Sequence, residues 1–211
     1  MQITIDERAT ALTRARYQRL SAFYDVVEGM SEQRYSPWRK RLWEMVDGTE
    51  VLEVGVGTGK NMPFYPFGTK ITAIDLTPGM LERARERARE LRLNLTLKIG
   101  DIQALEFPDS FFDNVVATFV FCSVSDPVLG LRELGRVVKP GGKILLLEHM
   151  RVPNETIGKI MDLINPLVVR LMGANINRRT LENIQLAGLR IESVQNLAMG
   201  GMFKMIVARK N

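Results

Sequence analysis

Apolar positions along the chain change their period near residue 50. Before that point, Ala11, Leu12, Ala15, Leu20, Phe23 and Val27 recur at helical spacing, with Arg8, Arg14, Arg16 and Arg19 on the other sides. The stretch from Asp6 to Val46 therefore reads as helical. Pro37 is placed to start a second helix carrying Trp38, Leu42, Trp43 and Val46, because proline suits a helix's first turn. From Glu50 short apolar runs alternate with amphipathic segments. Val51-Leu52-Glu53-Val54, Lys70 to Asp75, Leu95 to Ile99, Asp113 to Phe119 and Lys143 to His149 read as strands. Thr77 to Leu91 reads as a helix with Thr77 as N-cap and Pro78 at its first position, and Asp126 to Val138 as another.

Strands alternating with helices predict a parallel sheet with right-handed crossovers. Unbroken runs such as Ile144-Leu145-Leu146-Leu147 fit strands covered on both faces. After His149 the alternation stops. Thr156 to Met172 reads as an apolar helix interrupted by Pro166, and Asn177 to Ala187 as a further helix. Arg190 to Leu197 and Met202 to Arg209 are joined by only Ala198-Met199-Gly200-Gly201, so that final pair is antiparallel. The expected architecture is α/β: a doubly wound, Rossmann-like sheet, mostly parallel and closed by an antiparallel C-terminal strand. Residues 1–48 are expected to form a helical lid, 49–150 a ligand-binding core, and 151–211 a helical insertion with a hairpin.

Composition narrows the class of function. With 211 residues, 45% hydrophobic and 25% charged, the chain is ordinary for a globular protein. One cysteine (Cys122) and one histidine (His149) leave no Cys/His cluster for zinc, and no metal is expected. No run reaches the roughly 18 apolar residues of a membrane span. Residues 1–7 lack the basic and then apolar regions of a signal peptide, so an unprocessed cytoplasmic protein is expected. The formal charge is +5, and the excess lies in residues 151–211, with nine Lys/Arg against four Asp/Glu. No basic run exceeds Arg39-Lys40-Arg41, so nucleic acid is not an expected partner.

The candidate chemistry sits after the first strand. Glu53-Val54-Gly55-Val56-Gly57-Thr58-Gly59 follows a strand and precedes a helix-compatible segment, as a nucleotide loop does. Glycines permit a tight turn and let a ligand lie on bare backbone. Asp75 ends the next strand, 20 residues after Gly55. In a doubly wound sheet those strand ends are neighbours at the edge where ligands bind. A carboxylate there can accept both hydroxyls of a ribose. The spacing is shorter than the G-x-G-x-x-G that cradles a pyrophosphate. A short loop beside acidic Glu53 suits a phosphate-free, positively charged ligand such as S-adenosylmethionine. Asp101 ends the following strand, where it can accept from an adenine amino group while Ile102 packs on the ring. Thr118 and Phe119 reach the same edge.

These segments, with Ile74-Asp75-Leu76-Thr77-Pro78-Gly79-Met80, Gly100-Asp101, Phe107 to Asp113 and Val138-Lys139-Pro140-Gly141-Gly142, resemble the ordered motifs of class I S-adenosylmethionine-dependent methyltransferases over residues 50–149. The resemblance implies a seven-stranded sheet and cofactor contacts at Glu53, Gly55, Gly57, Thr58, Gly59, Asp75, Leu76, Met80, Asp101, Ile102, Thr118 and Phe119. The product would be S-adenosylhomocysteine. Dehydrogenase-type dinucleotide binding and a non-catalytic S-adenosylmethionine-binding protein are the competing readings.

For the acceptor, Leu52 to Gly59 and Tyr24-Asp25 are similar to phosphatidylethanolamine N-methyltransferases and quinone C-methyltransferases. Asn61 through Tyr65-Pro66, Phe121 to Val124, Glu148-His149, Asn165-Pro166 and Asn177 are similar to microsomal alkyl thiol methyltransferases, whose hydrophobic anchor has no counterpart in residues 1–48. Both resemblances imply a lipophilic or small-molecule acceptor. His149 is the candidate base, its pKa raised by neighbouring Glu148, and Tyr24 the candidate lid contact. Leu163, Ile164, Leu167, Val168, Val169 and Leu171 are placed to wall an apolar pocket or to touch an anionic membrane peripherally. A monomer or dimer is expected.

Overall fold

The computed structural model describes residues 5–21 and 24–210, without the side chains of residues 24–28, 30, 31 and 172. Strands β1 (Glu50–Val54), β2 (Lys70–Asp75), β3 (Thr96–Ile99), β4 (Phe112–Thr118), β5 (Val138–His149), β6 (Leu189–Ala198) and β7 (Phe203–Lys210) form one sheet. Its order is β3-β2-β1-β4-β5-β7-β6. The first five strands pair in parallel, and β7 runs antiparallel to both β5 and β6. The doubly wound, seven-stranded arrangement is the expected one.

Helices α1 (Glu7–Leu20), α2 (Tyr24–Trp43), α3 (Pro78–Glu90), α4 (Pro127–Val137), α5 (Glu155–Met172) and α6 (Thr180–Leu186) surround it. On one face, Leu42 and Trp43 of α2 and Leu81, Ala84 and Ala88 of α3 pack on Val51, Ala73, Val116 and Leu145. On the other, Leu131 and Leu134 of α4 and Ile184 of α6 pack on Leu52, Val54, Val115 and Leu146. Alternate residues of each strand thus serve opposite layers, which is why the strands read as unbroken apolar runs. Strand order reverses between β1 and β4, so a crevice opens outside their carboxyl ends.

Several expected elements differ. Pro37 does not start a helix; it lies exposed inside α2. Losing one backbone donor there is offset by the anchoring of buried Leu42 and Trp43. Pro166 likewise leaves α5 unbroken, and the helix ends at Gly173, whose φ of 79° and N–H to the Val169 carbonyl form a left-handed cap. Lys139 to Gly142 belong to β5, which pairs Phe112 with Val138 and then Asn114 with Lys143 across a register shift. Helix α6 begins three residues late. Asn177 instead donates to Asp162 (2.9 Å) and Arg178 to the Val124 carbonyl (2.6 Å), and these bonds hold the segment out of the helix, Asn177 in a turn.

The largest departure is α1, which buries none of its residues. Ala11, Leu12 and Ala15, the expected inner stripe, are exposed. Phe23 and Val27 lie outside the described side chains. Thr10, Thr13 and Tyr17, spaced by three and four, face the crevice. Their partners there are polar, so hydrogen bonding rather than apolar burial orients this helix. No helix among the described residues is long and apolar enough to cross a membrane.

Candidate functional site

The crevice is organised by the turn after β1. Gly55, Gly57 and Gly59 adopt φ of 67°, 55° and 84°, a region open to glycine but costly for other residues. A Cβ on Gly57 would meet nothing within 4 Å, so its bare backbone faces the open crevice. A Cβ on Gly55 would lie 2.5 Å from Val120 Cγ2. Gly55→Ala is expected to displace the facing loop, to weaken ligand binding about 10-fold and to cost about 2 kcal/mol in urea unfolding. Unchanged binding would show that the two loops are not interlocked.

Asp75 closes the turn. Its Oδ2 accepts the Gly57 N–H at 2.9 Å and its Oδ1 the Thr77 N–H at 2.8 Å. Burial raises its pKa, and the two amide donors oppose that rise. A carboxylate offers about four acceptor positions; the two amides and the Thr77 hydroxyl draw on it from the protein side, and its crevice-facing positions are left for a ligand's hydroxyls. Thr77 precedes α3 without capping it by its hydroxyl. Instead the Gly79 N–H donates to Gln18 Oε1 of α1 at 2.9 Å.

Leu76, Met80, Ile102 and Ile74 form the apolar lining of the crevice. Asp101 Oδ1 accepts from the Gln103 N–H (2.8 Å), and Gln103 Nε2 also donates to Thr10 Oγ1 (3.1 Å). Gln103 Oε1 in turn accepts the Asp126 N–H at 2.9 Å. Across the opening, the hydroxyls of Tyr17 and Ser123 are hydrogen-bonded at 2.5 Å. Helix α1 thus lies as a polar strap across the mouth.

Thr118 and Phe119 deliver the remaining wall. Phe119 has φ of 57°, strained for a bulky residue and a mark of functional loops. Its N–H donates to the Leu147 carbonyl at 2.8 Å. Glu148 Oε1 then accepts the next two amides, Val120 (2.9 Å) and Phe121 (3.2 Å). Glu148 is fully buried, and burial pushes its carboxyl up to about 7 against the pull of those amides and of Arg178. Beside it the Cys122 thiol is pushed up to about 12, first by burial and then by Glu148, so it is not a nucleophile at neutral pH.

His149 departs from expectation. Adjacent strand residues face opposite sides, so the Glu148 carboxylate is directed to the Val120–Phe121 amides and not to the imidazole. Burial lowers the pKa of His149 and outweighs a hydrogen bond with the Asn175 backbone that raises it; Glu148 is not among the causes. Its ring stands 6.2 Å from Phe119 and 6.3 Å from Phe203. Tyr35 and Trp38 of α2 complete this aromatic group, at 4.9 Å from Phe119 and 5.4 Å from Phe203 respectively. The Arg39 guanidinium lies 5.5 Å over the Phe119 ring.

Glu53 turns beneath the loop rather than into the crevice. It accepts from Asn61 Nδ2 at 2.5 Å and from the Tyr65 hydroxyl. Asn61 in turn accepts from Arg39 (3.0 Å) and donates to Thr118 Oγ1 (3.1 Å). Burial pushes Glu53 up to about 7 despite the bonds from Tyr65 and Asn61.

Of the residues expected at the site, Gly55, Gly57, Asp75, Leu76, Met80, Asp101, Ile102, Thr118 and Phe119 are brought together around one crevice. Glu53, Thr58, Gly59 and His149 lie outside its lining, and Tyr24 opens α2 with its side chain outside the described residues. Sequence reasoning placed Tyr17 among the aromatic residues of a lidding N-terminal segment but missed Thr10, Thr13, Gln103 and Ser123. The polar i, i+3, i+7 series in α1 was the available signal.

Residues 52–146 match the methyltransferase-domain family. The chain is 41% identical over 104 residues to a phosphatidylethanolamine N-methyltransferase of Cereibacter sphaeroides, covering 48% of this chain and 51% of that protein. It is 38% identical over 106 residues to a thiol S-methyltransferase of Rattus norvegicus (49% and 43%). It is 34% identical over 141 residues to a demethylmenaquinone methyltransferase of Staphylococcus aureus (63% and 58%). The matches thus span about half the length of these curated relatives. Among solved structures, the geranyl diphosphate C-methyltransferase of Streptomyces coelicolor, in complex with S-adenosyl-L-homocysteine, superposes with a TM-score of 0.69 at 16% identity. That likeness covers 83% of this chain and 79% of that one, and it is one of fold.

Proposed function

Because residues 52–146 carry a methyltransferase domain, we propose that this protein transfers the methyl group of S-adenosylmethionine to a small or lipophilic acceptor, an alkyl thiol or a phospholipid amine, by in-line displacement. The observation that carries the reading is the Asp75 carboxylate, which bonds the Gly57 amide of a bare glycine turn and keeps acceptor positions toward an open crevice. Asp75 holds the ribose hydroxyls, and Asp101 accepts from the adenine amino group. Leu76, Met80 and Ile102 cover the ring. Glu53 lies beneath the loop, bonded by Asn61 and Tyr65, and supports the turn from below. Bound there, S-adenosylmethionine supplies an electrophilic methyl on a positively charged sulfur.

The chain's own part is positioning. The left-handed Phe119 and the clamp of Glu148 on Val120 and Phe121 fix the wall against which the acceptor is held. Near-attack placement of this kind is worth about 7–11 kcal/mol. The α1 strap, tied through Gln103, Ser123 and Gly79, excludes water from above. The rings of Phe119, Phe203, Tyr35 and Trp38 favour an apolar acceptor. His149, kept neutral by its lowered pKa, takes the proton that a thiol or an ammonium must lose.

Incubation with S-adenosylmethionine and a panel of alkyl thiols, phosphatidylethanolamine vesicles and demethylquinols is expected to release S-adenosylhomocysteine with one thiol or amine class. Calorimetry is expected to show S-adenosylhomocysteine binding and no binding of nicotinamide dinucleotides. Turnover confined to quinols would replace the acceptor class. Cofactor binding without any turnover would favour a non-catalytic binding protein.

A further inference from the structure

Helix α5 is inside out for a helix in water. Its inner side carries the polar ties. Asn165 donates to Asn175 (3.1 Å), which donates to the Cys122 carbonyl (2.9 Å), and Asp162 accepts from Asn177 (2.9 Å). Its outer side is apolar: Ile157, Ile160, Leu163, Ile164, Leu167 and Leu171 are all exposed, Leu163 at 81%, Leu171 at 72% and Leu167 at 60%. At helical spacing these six fall within one arc about 120° wide. A globular surface rarely shows so continuous an apolar strip without an occupant.

We propose that this face of α5 is a docking surface for an anionic lipid bilayer. Charge selects that occupant. The two acids of the helix, Glu155 and Asp162, are both engaged by Arg151 at 3.1 Å. Its two bases, Lys159 and Arg170, are exposed and border the same edge of the apolar arc, about 16 Å apart along the axis. A helix with an apolar stripe and a basic border lies in the headgroup plane of anionic membranes. Residues 151–211 supply the same sign, nine bases against four acids. A second copy fits less well: antiparallel pairing of two α5 helices centred just past Ile164 would set Lys159 of each helix against Arg170 of the other. The inner ties run to the Cys122 carbonyl, in the loop that follows Phe119, so docking would hold the crevice at the lipid surface.

The test is flotation of the full chain with phosphatidylglycerol–phosphatidylcholine vesicles (3:1) and with phosphatidylcholine alone. Binding is expected to the anionic vesicles, at least 10-fold stronger than to the neutral ones, and to weaken as salt rises. Leu163→Asp with Leu167→Asp is expected to abolish it. Lys159→Glu with Arg170→Glu is expected to remove its salt-sensitive part. Equal binding to both vesicle types, no flotation, or a lipid-free dimer in light scattering that the leucine variants break apart would each overturn the proposal. S-adenosylhomocysteine calorimetry on the same variants separates the two readings. Intact cofactor binding with no flotation ends this one, while absent cofactor binding in the parent chain ends the methyl-transfer reading and leaves this one standing.

Discussion

Asp75→Ala is expected to lower the affinity for S-adenosylhomocysteine by about 100-fold or more while leaving the ligand-free fold nearly unchanged. The size follows from what the carboxylate does. It faces the crevice while holding the Gly57 and Thr77 amides at 2.9 and 2.8 Å. Hydrogen bonds to a charged group are worth about 1.5–3 kcal/mol each, so losing two to a ribose costs about 3–6 kcal/mol, or roughly 10²–10⁴ in affinity. The fold tolerates the change because the orphaned amides border an open crevice, where water can replace the carboxylate. Removing a carboxyl whose pKa burial has raised also relieves desolvation. Asp75→Asn keeps the shape, loses the charge, and is expected to fall between. Calorimetry and thermal unfolding with and without ligand check both halves. Parent protein at 100 times its dissociation constant gains about 2.7 kcal/mol from ligand, and the variant is expected to gain almost none. Unchanged affinity would move the ribose site elsewhere.

The sheet was legible because its signal is redundant. Strands buried on both faces, such as Ile144 to Leu147, announce themselves by unbroken apolar runs, and a short link between Leu197 and Met202 forces the antiparallel end. The β1 and β2 ends were legible for the same reason: position in a doubly wound sheet places Gly55 and Asp75 together whatever their side chains do. What failed depended on partners distant in sequence. Ala11, Leu12 and Ala15 looked like an inner stripe because pattern reading assumes an apolar partner. The partners of α1 are Ser123, Gln103 and Gly79, over 60 residues away and polar. Glu148 and His149 were read as a couple from adjacency, yet strand alternation sends them apart. Pro37 read as a helix start and Pro166 as an interruption, because a local rule cannot weigh one lost donor against the packing of an entire helix.

Two carboxyls raised to about 7, Glu53 and Glu148, lead to an unusual pH profile: the ligand-free protein is expected to lose stability as pH rises from about 4.5 to 7 and to level off above that. The unfolded chain ionises these groups near the ordinary glutamate value of 4.5, while the folded chain keeps them protonated to about 7. Within that window the folded state holds more protons, so raising pH favours unfolding. The full shift corresponds to about 3 kcal/mol per group. His149 acts in the opposite sense. Its pKa is lowered from 6.5, so its share of stability grows as pH rises toward that value; one imidazole does not offset two carboxyls. Asp113, held at about 2 by Lys139 and backbone amides, loses its contribution only in more acid solution. Urea midpoints at pH 5.5 and 8 are expected to favour pH 5.5, and Glu53→Gln and Glu148→Gln each to flatten the slope. Function runs the other way. Ionised Glu148 grips the Val120 and Phe121 amides more strongly, which stiffens the strained Phe119 turn. Affinity for S-adenosylhomocysteine is therefore expected to rise about 3- to 10-fold between pH 6 and 8, as charge-assisted bonds replace neutral ones. Glu148→Gln should hold the turn without that rise, and Glu148→Ala should release it and bind weakly at every pH. A stability that climbs from pH 5.5 to 8 would show that both carboxyls are ionised throughout, and the clamp would then not respond to pH in this range.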